Sequence, residues 1–260
     1  MDEFFERGWV RFPFDPDIAA WAAHADHAAR AAEAAPAPGM LRCDGTWFVG
    51  VNALETAGEG RLPGGPPLTG AAVEVAKALI GAPFAFDKAQ ASVCYAGYPR
   101  RGEEEGEAAF RFRRDRDAAH VDGLLPVGPD RRRMLKETHG FVLGLPLNAA
   151  PAGGAPLIVW ERSHLVMAEA LGSALTGAPA DRWADIDLTE PYQAARRRCF
   201  ETLERVEIAA AQGEAYLVHR HALHGVAPWR AGGGEGRRAI AYFRPDPYPG
   251  AAPSWWLDDR

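Results

Sequence analysis

From residue 84 onward the chain is a series of short, apolar, β-prone runs held apart by turn residues, and this spacing constrains the fold more than any other feature. The runs are Phe84 to Tyr98, Lys136 to Leu147, Pro156 to Trp160, Leu203 to Ala210, Ala215 to His219 and Ala239 to Phe243. Their length and the turn residues between them predict strands. The front of the chain reads differently. Residues 4–12 read as a short helix running into a strand, Gly8 to Phe12. Asp15-Pro16-Asp17 is a helix start, for a helix over about 17–34 that Pro36 and Pro38 stop. Trp47 to Val51 reads as a strand, 56–67 as loop, and Thr69 as the cap of a helix over about 70–80. A helical front followed by many spaced strands predicts one mainly β unit, a sandwich or closed roll carrying helices on its outside. Two insertions interrupt the strand series: a charged stretch over 100–118, and helix and loop over 164–202. The expectation is a single domain over 1–260, with a helical part of about 1–82 and a roll of about 83–245.

Composition excludes several classes. Apolar residues are 47% and charged residues 25%, so wholesale disorder is ruled out. A net charge of −6 gives no global basic field for nucleic acid. The Ala-rich stretch 19–35 is broken by His24, Asp26, His27, Arg30 and Glu33, which argues against a membrane span. The first residues carry acids where a secretion signal needs bases and then an apolar run. Three well-separated cysteines, Cys43, Cys94 and Cys199, form neither a zinc pattern nor a disulfide framework. The expectation is a cytoplasmic protein with no nucleic-acid or membrane partner; its oligomeric state stays open.

The metal-ligand candidates are few. His120 is followed two residues later by Asp122, and His219, His221 and His224 lie within six residues. On an extended strand, residues i and i+2 point to the same side. One imidazole and one carboxylate can then meet at one ion. A histidine from a distant strand completes a 2-His-1-carboxylate face, which leaves positions open and suits Fe(II). Spacing alone leaves the third ligand open among His219, His221 and His224. Thirteen residues after His224, Arg237 stands at the mouth of a core strand. A guanidinium buried there needs an anionic partner, and its planar fork fits a carboxylate; the bland reading is that Arg237 and Arg238 flank a turn.

The order His120-x-Asp122, Ser163-His164, Gly213-Glu214, Leu223-His224-Gly225 and Arg237-Arg238-Ala239-Ile240 resembles the phytanoyl-CoA dioxygenase family of Fe(II)/2-oxoglutarate oxygenases. The opening Phe4 to Val10 followed by a helix is similar to that family's start. Arg162 stands where the family usually has glycine. The resemblance implies a double-stranded β-helix, a cupin-like jelly roll with the metal at its mouth. It implies iron held by His120, Asp122 and His224, the last chosen through the Leu-His-Gly match, and 2-oxoglutarate anchored through its far carboxylate by Arg237. Of Thr138 and His139, which begin the strand after the metal motif, Thr138 is the candidate to reach the cosubstrate. The implied partners are a small-molecule substrate and O2, and the products succinate and CO2. Because Asp122 supplies the carboxylate, the expected outcome is hydroxylation and not halogenation. Two other readings remain: a cupin-like metal enzyme that does not use 2-oxoglutarate, and a non-catalytic ligand-binding roll.

Overall fold

The computed structural model describes residues 1–81, 85–230, 236–247 and 251–258. In chain order its elements are α1 (Asp2–Arg7), β1 (Trp9–Phe12), α2 (Pro16–Ala34), β2 (Leu41–Arg42), β3 (Trp47–Leu54), α3 (Ala71–Ile80), β4 (Ala89–Tyr95), α4 (Glu107–Asp115), β5 (Leu124–Val127), β6 (Arg132–Leu135), β7 (Phe141–Pro146), β8 (Leu157–Trp160), α5 (Ser163–Leu175), α6 (Thr189–Thr202), β9 (Arg205–Ile208), β10 (Ala215–His219), β11 (His224–Val226) and β12 (Arg237–Phe243). A large antiparallel sheet has the order β1-β10-β7-β12-β4-β3-β2, and a small one the order β11-β8-β9. A separate hairpin, β5-β6, stands beside them. No helix among the described residues is long and apolar enough to cross a membrane.

The large sheet is apolar on both faces, and β12 shows why. Ala239, Ala241 and Phe243 join the cluster under α2 and α3, where Trp21 meets Phe243 at 5.7 Å between ring centroids. The alternate residues Ile240 and Tyr242 join Leu157, Val159 and Ile208 of the small sheet. A strand buried on both faces reads as a continuous apolar run, as the sequence does here. The helices therefore cover the outer face, and the inner face meets the small sheet across the interior that holds the site.

The helix α2 begins as its sequence predicts: the Asp15 carboxylate accepts the Asp17 amide at 2.9 Å, with Pro16 in the first turn. It buries Ile18, Trp21, Ala22, Ala25 and Ala29, one helical stripe. The expected cap at Thr69 is not formed. Gly70 precedes α3, and the Thr69 hydroxyl donates to Asp17 instead. Asp15 takes the capping role at a distance, accepting from the Ala71 amide at 3.2 Å. The strand expected from Phe84 starts at Ala89, and Phe84 itself lies outside the described residues. The hairpin β5-β6 falls where sequence reading placed no strand. Pro126 and the Arg131-Arg132-Arg133 run disguise it, and β5 is largely exposed.

Candidate metal centre

The site begins with a two-residue meeting of distant chain segments. His120 and His224 face each other as an antiparallel pair, the His120 amide donating to the His224 carbonyl at 2.8 Å and the reverse bond spanning 3.0 Å. Directly opposed residues carry their side chains on the same face, so the two imidazoles stand together, 4.7 Å between centroids. Asp122, two residues beyond His120, points the same way. Nitrogen or oxygen atoms of His120, Asp122 and His224 all lie within 4.8 Å of one another.

Close backbone approach makes this possible. The carbonyl oxygen of Asp117 accepts the Val226 amide at 2.9 Å and lies where a Cβ on Gly225 would sit, 2.1 Å away. Only glycine fits there. Asp117 is itself clamped by Arg205 through bonds of 2.8 and 2.7 Å. Gly225→Ala should push the 117–120 segment outward at a stability cost of about 1–3 kcal/mol, the range for overpacking a tight contact. His120 would move with it. The expected result is a lower unfolding midpoint together with weaker binding of Fe(II), read by equilibrium dialysis. Unchanged metal affinity would show that His120 is not held by this contact.

The ring nitrogens are assigned by their partners. The Nδ1 of His120 lies 3.0 Å from the Ala118 carbonyl, and the Nδ1 of His224 lies 2.9 Å from the Ala222 carbonyl. A carbonyl only accepts, so both Nδ1 atoms carry the proton. Each ring then turns its Nε2 inward. These stand 3.2 and 3.7 Å from the two Asp122 carboxylate oxygens. Three ligand atoms thus converge within 4.8 Å of one another. The donor set therefore fits a divalent first-row ion of the 2-His-1-carboxylate type.

The electrostatics agree. Burial alone would raise the Asp122 carboxyl, but the Arg244 guanidinium outweighs it and holds the carboxyl well below the usual carboxylate range. Burial pushes His224 down to about 4, more than Asp122 pulls it up, so its ring is neutral at pH 7 and free to ligate. Arg244 donates from Nε to Asp122 at 2.6 Å and from Nη1 to Gln90 at 2.7 Å, while its amide donates to Asp87. The three residues open on a cavity of about 650 Å³ whose inner walls include Val142, Leu157, Val218 and Tyr242.

Not every residue singled out in the sequence arrives here. Arg237, expected beside the cosubstrate, faces the other way. It lies on the helix side of β12 and pairs with Glu33 and Asp26 of α2, with Nη1 to Asp26 and Nη2 to Glu33 both at 2.6 Å. The physical reason is strand alternation: Arg237 shares a face with Ala239, Ala241 and Phe243, which pack under the helices. Thr138 is not among the cavity-lining residues, although its neighbours Glu137 and His139 are. His219 and His221 are drawn into a different cluster, where His219 meets His164 at 4.9 Å and His221 meets Trp256 edge-on at 4.3 Å. Two inner-face arginines were missed. Arg244 was left outside the strand, and Arg238 was read only as the neighbour of Arg237. The signal was present: counted in twos, Arg238, Ile240, Tyr242 and Arg244 share one face. Arg238 is buried and lines a second cavity with Tyr216 and Ile240; its Nη2 reaches the hydroxyl of Tyr242, a residue of the metal cavity, at 3.3 Å, and among the described residues its Nη1 has no hydrogen-bond partner.

No protein-family description matches the chain. Among curated proteins it is 28% identical over 154 residues to the pyridoxal 5'-phosphate synthase subunit PdxT of Pseudarthrobacter chlorophenolicus. That match takes in 56% of this chain, and the chain spans 64% of the relative's length, less than two thirds. Solved structures match over nearly the whole chain. The non-heme alpha ketoglutarate dependent carbocyclase SnoK from nogalamycin biosynthesis is 14% identical, with 94% of this chain and 82% of that one covered and a TM-score of 0.50. AviO1 from Streptomyces viridochromogenes is 15% identical over 96% and 95%, TM-score 0.50. The epimerase SnoN, in complex with Fe3+, alpha ketoglutarate and nogalamycin RO, is 13% identical over 97% and 90%, TM-score 0.50. The antiparallel sandwich with flanking helices is thus the fold of proteins that include iron- and alpha-ketoglutarate-bound enzymes, and this chain carries a His-Asp-His cluster of metal-binding chemistry within it.

Proposed function

We propose that this single-domain chain is a non-haem iron(II), 2-oxoglutarate-dependent dioxygenase of the phytanoyl-CoA dioxygenase type, its sandwich a double-stranded β-helix, and that it hydroxylates a small molecule with release of succinate and CO2. The observation that supports this reading above all is the convergence of His120, Asp122 and His224, two inward lone pairs and a carboxylate held charged, at the head of a 650 Å³ cavity. These three would hold the ion on one face and leave its cavity side to the keto acid and O2. Iron with 2-oxoglutarate supplies the oxidising power, by coupling loss of CO2 from the keto acid to reduction of O2.

The protein's share is placement and charge. The Ala118 and Ala222 carbonyls fix both imidazoles in the ligating tautomer. Arg244 orients Asp122 and keeps it ionised. Arg238 would take the role expected of Arg237 from a neighbouring cavity, through its contact with Tyr242 of the metal cavity: a buried guanidinium with an unused Nη1 needs an anion, and the far carboxylate of 2-oxoglutarate would supply one. Val142, Leu157 and Val218 give the inner wall of the cavity an apolar surface.

The test is anaerobic titration of the protein with Fe(II) and then 2-oxoglutarate. The reading predicts a weak visible charge-transfer band at one equivalent of each, and slow succinate formation once air is admitted without substrate. A folded protein that gives neither is not a 2-oxoglutarate oxygenase.

A further inference from the structure

We infer that the substrate of this site carries an oxyanion, a carboxylate or a phosphate, that Arg133 receives at the cavity wall; this rests on the oxygenase reading of the cavity. Apart from Asp122 and Arg244, the charged side chains lining the cavity are Arg42, Lys88, Arg113, Arg133, Asp87 and Glu137. Most are already answered. Lys88 pairs with Glu55 at 2.6 Å and Arg113 with Glu105 at 2.9 Å. Glu137 meets His139 at 3.0 Å, and Asp87 accepts the Arg244 amide. Among the described residues, Arg42 and Arg133 are the lining cations with no carboxylate partner.

Arg42 is exposed, so water answers its charge. Arg133 is half-buried, and its situation is unfavourable as it stands. Its Nη1 donates to the Leu124 carbonyl at 3.2 Å, and its guanidinium lies 5.9 Å from the centre of the Tyr192 ring. Arg196 lies against the same ring at 5.2 Å. Burial lowers the Arg133 pKa, Tyr192 offsets part of this, and the like charges of Arg196 and Arg131 add to the lowering. The residue cannot easily move away. Its amide donates to the Thr189 hydroxyl at 2.8 Å and its carbonyl accepts the Leu188 amide at 2.8 Å, both from the helical insertion. A partly desolvated cation beside like charges, anchored at both ends of its backbone, is stabilised by an arriving anion. The fork of the guanidinium suits a carboxylate or phosphate. Apolar Val51 and Leu125, 54% and 40% exposed, line the same cavity and suit an apolar body attached to that anion.

The test uses four probes on one ring system: 2-naphthoate, 2-naphthyl phosphate, 2-naphthamide and 2-naphthylmethylamine. Each is titrated by calorimetry, and by the fluorescence of cavity-lining Trp47, into anaerobic protein saturated with Fe(II) and 2-oxoglutarate, so that the keto-acid site is filled. The expected result is an oxyanion bound at least tenfold more tightly than the amide, with the amine weakest. Whichever of carboxylate and phosphate binds more tightly identifies the source of the oxyanion. Arg133→Gln should reduce the preference below twofold, whereas Arg131→Gln, on the exposed hairpin turn, should retain it. Equal affinities, tighter binding of the amine, no binding of either anion at millimolar concentration, or a preference that survives Arg133→Gln would each overturn the inference. The charge-transfer band is recorded in the same samples. Its absence in the wild type overturns the oxygenase reading, whereas its presence in Arg133→Gln with loss of oxyanion preference isolates the substrate role.

Discussion

Replacing His224 by alanine should lower Fe(II) affinity by well over 100-fold while leaving the fold intact. Altering a group behind a metal ligand typically changes affinity roughly 10–100-fold, and His224 would itself be a ligand, so its removal exceeds that range. The fold should tolerate the change for a specific reason. In the metal-free protein the two Nε2 lone pairs and the Asp122 carboxylate face one another at 3.2 and 3.7 Å, and removing one relieves that crowding while opening a cavity. Asp122→Ala should behave differently. It strips Arg244 of its 2.6 Å partner and leaves a buried cation, a change worth about 3–5 kcal/mol when a buried pair is broken. Both variants should thus lose iron, but only Asp122→Ala should also lose much stability. Metal content after desalting and chemical denaturation read the two effects separately. His219→Ala serves as the contrast: it lies in the cluster with Phe4 and His164 and should retain iron. If His219→Ala loses iron and His224→Ala retains it, the centre has been assigned to the wrong histidine.

What the sequence made legible follows periodicity and local chemistry. The helix α2 was readable because Asp15, Pro16 and the stripe from Ile18 to Ala29 agree on one element. The His-x-Asp pair was readable because a period of two needs no tertiary information. The partner of that pair was not: nothing local says that His224 bridges to His120 while His219, five residues earlier, turns to Phe4. That choice depends on the backbone contact between Gly225 and Asp117, 108 residues apart in sequence. Arg237 lies one register step from the inner face of β12 and turns to α2. Its run Arg237-Arg238 offers two guanidinium groups, and only the packing of Ala239 and Phe243 against the helices shows which one turns inward. The Asp26 and Glu33 carboxylates that meet Arg237 lie seven residues apart on α2. Two helical turns place them on one face, but their target was invisible until the sheet was built. The hairpin bearing Arg133 was missed because an exposed two-stranded ribbon with a proline and three arginines lacks the apolar signal by which strands are read.

That register step produces the most decisive experiment on the cosubstrate. Arg238→Met should raise the dissociation constant for 2-oxoglutarate by about 100-fold, since losing one partner of a buried charge pair costs about 3 kcal/mol. The metal-free variant should be no less stable than the wild type. Arg238 is buried, donates from Nη2 to the Tyr242 hydroxyl, and has an Nη1 with no partner among the described residues, so methionine removes a poorly answered charge and fills most of the same space. Arg237→Met should show the inverse pattern. It leaves the Asp26 and Glu33 carboxylates facing each other without their shared cation, costing about 3 kcal/mol of stability, and leaves 2-oxoglutarate affinity within a few-fold of the wild type. Iron binding should survive in both. The two arginines are adjacent in the chain and chemically identical, so any difference between the variants reports only which face of β12 each occupies. A cosubstrate defect in Arg237→Met with normal binding in Arg238→Met would mean that the interior of the sandwich does not receive the keto acid.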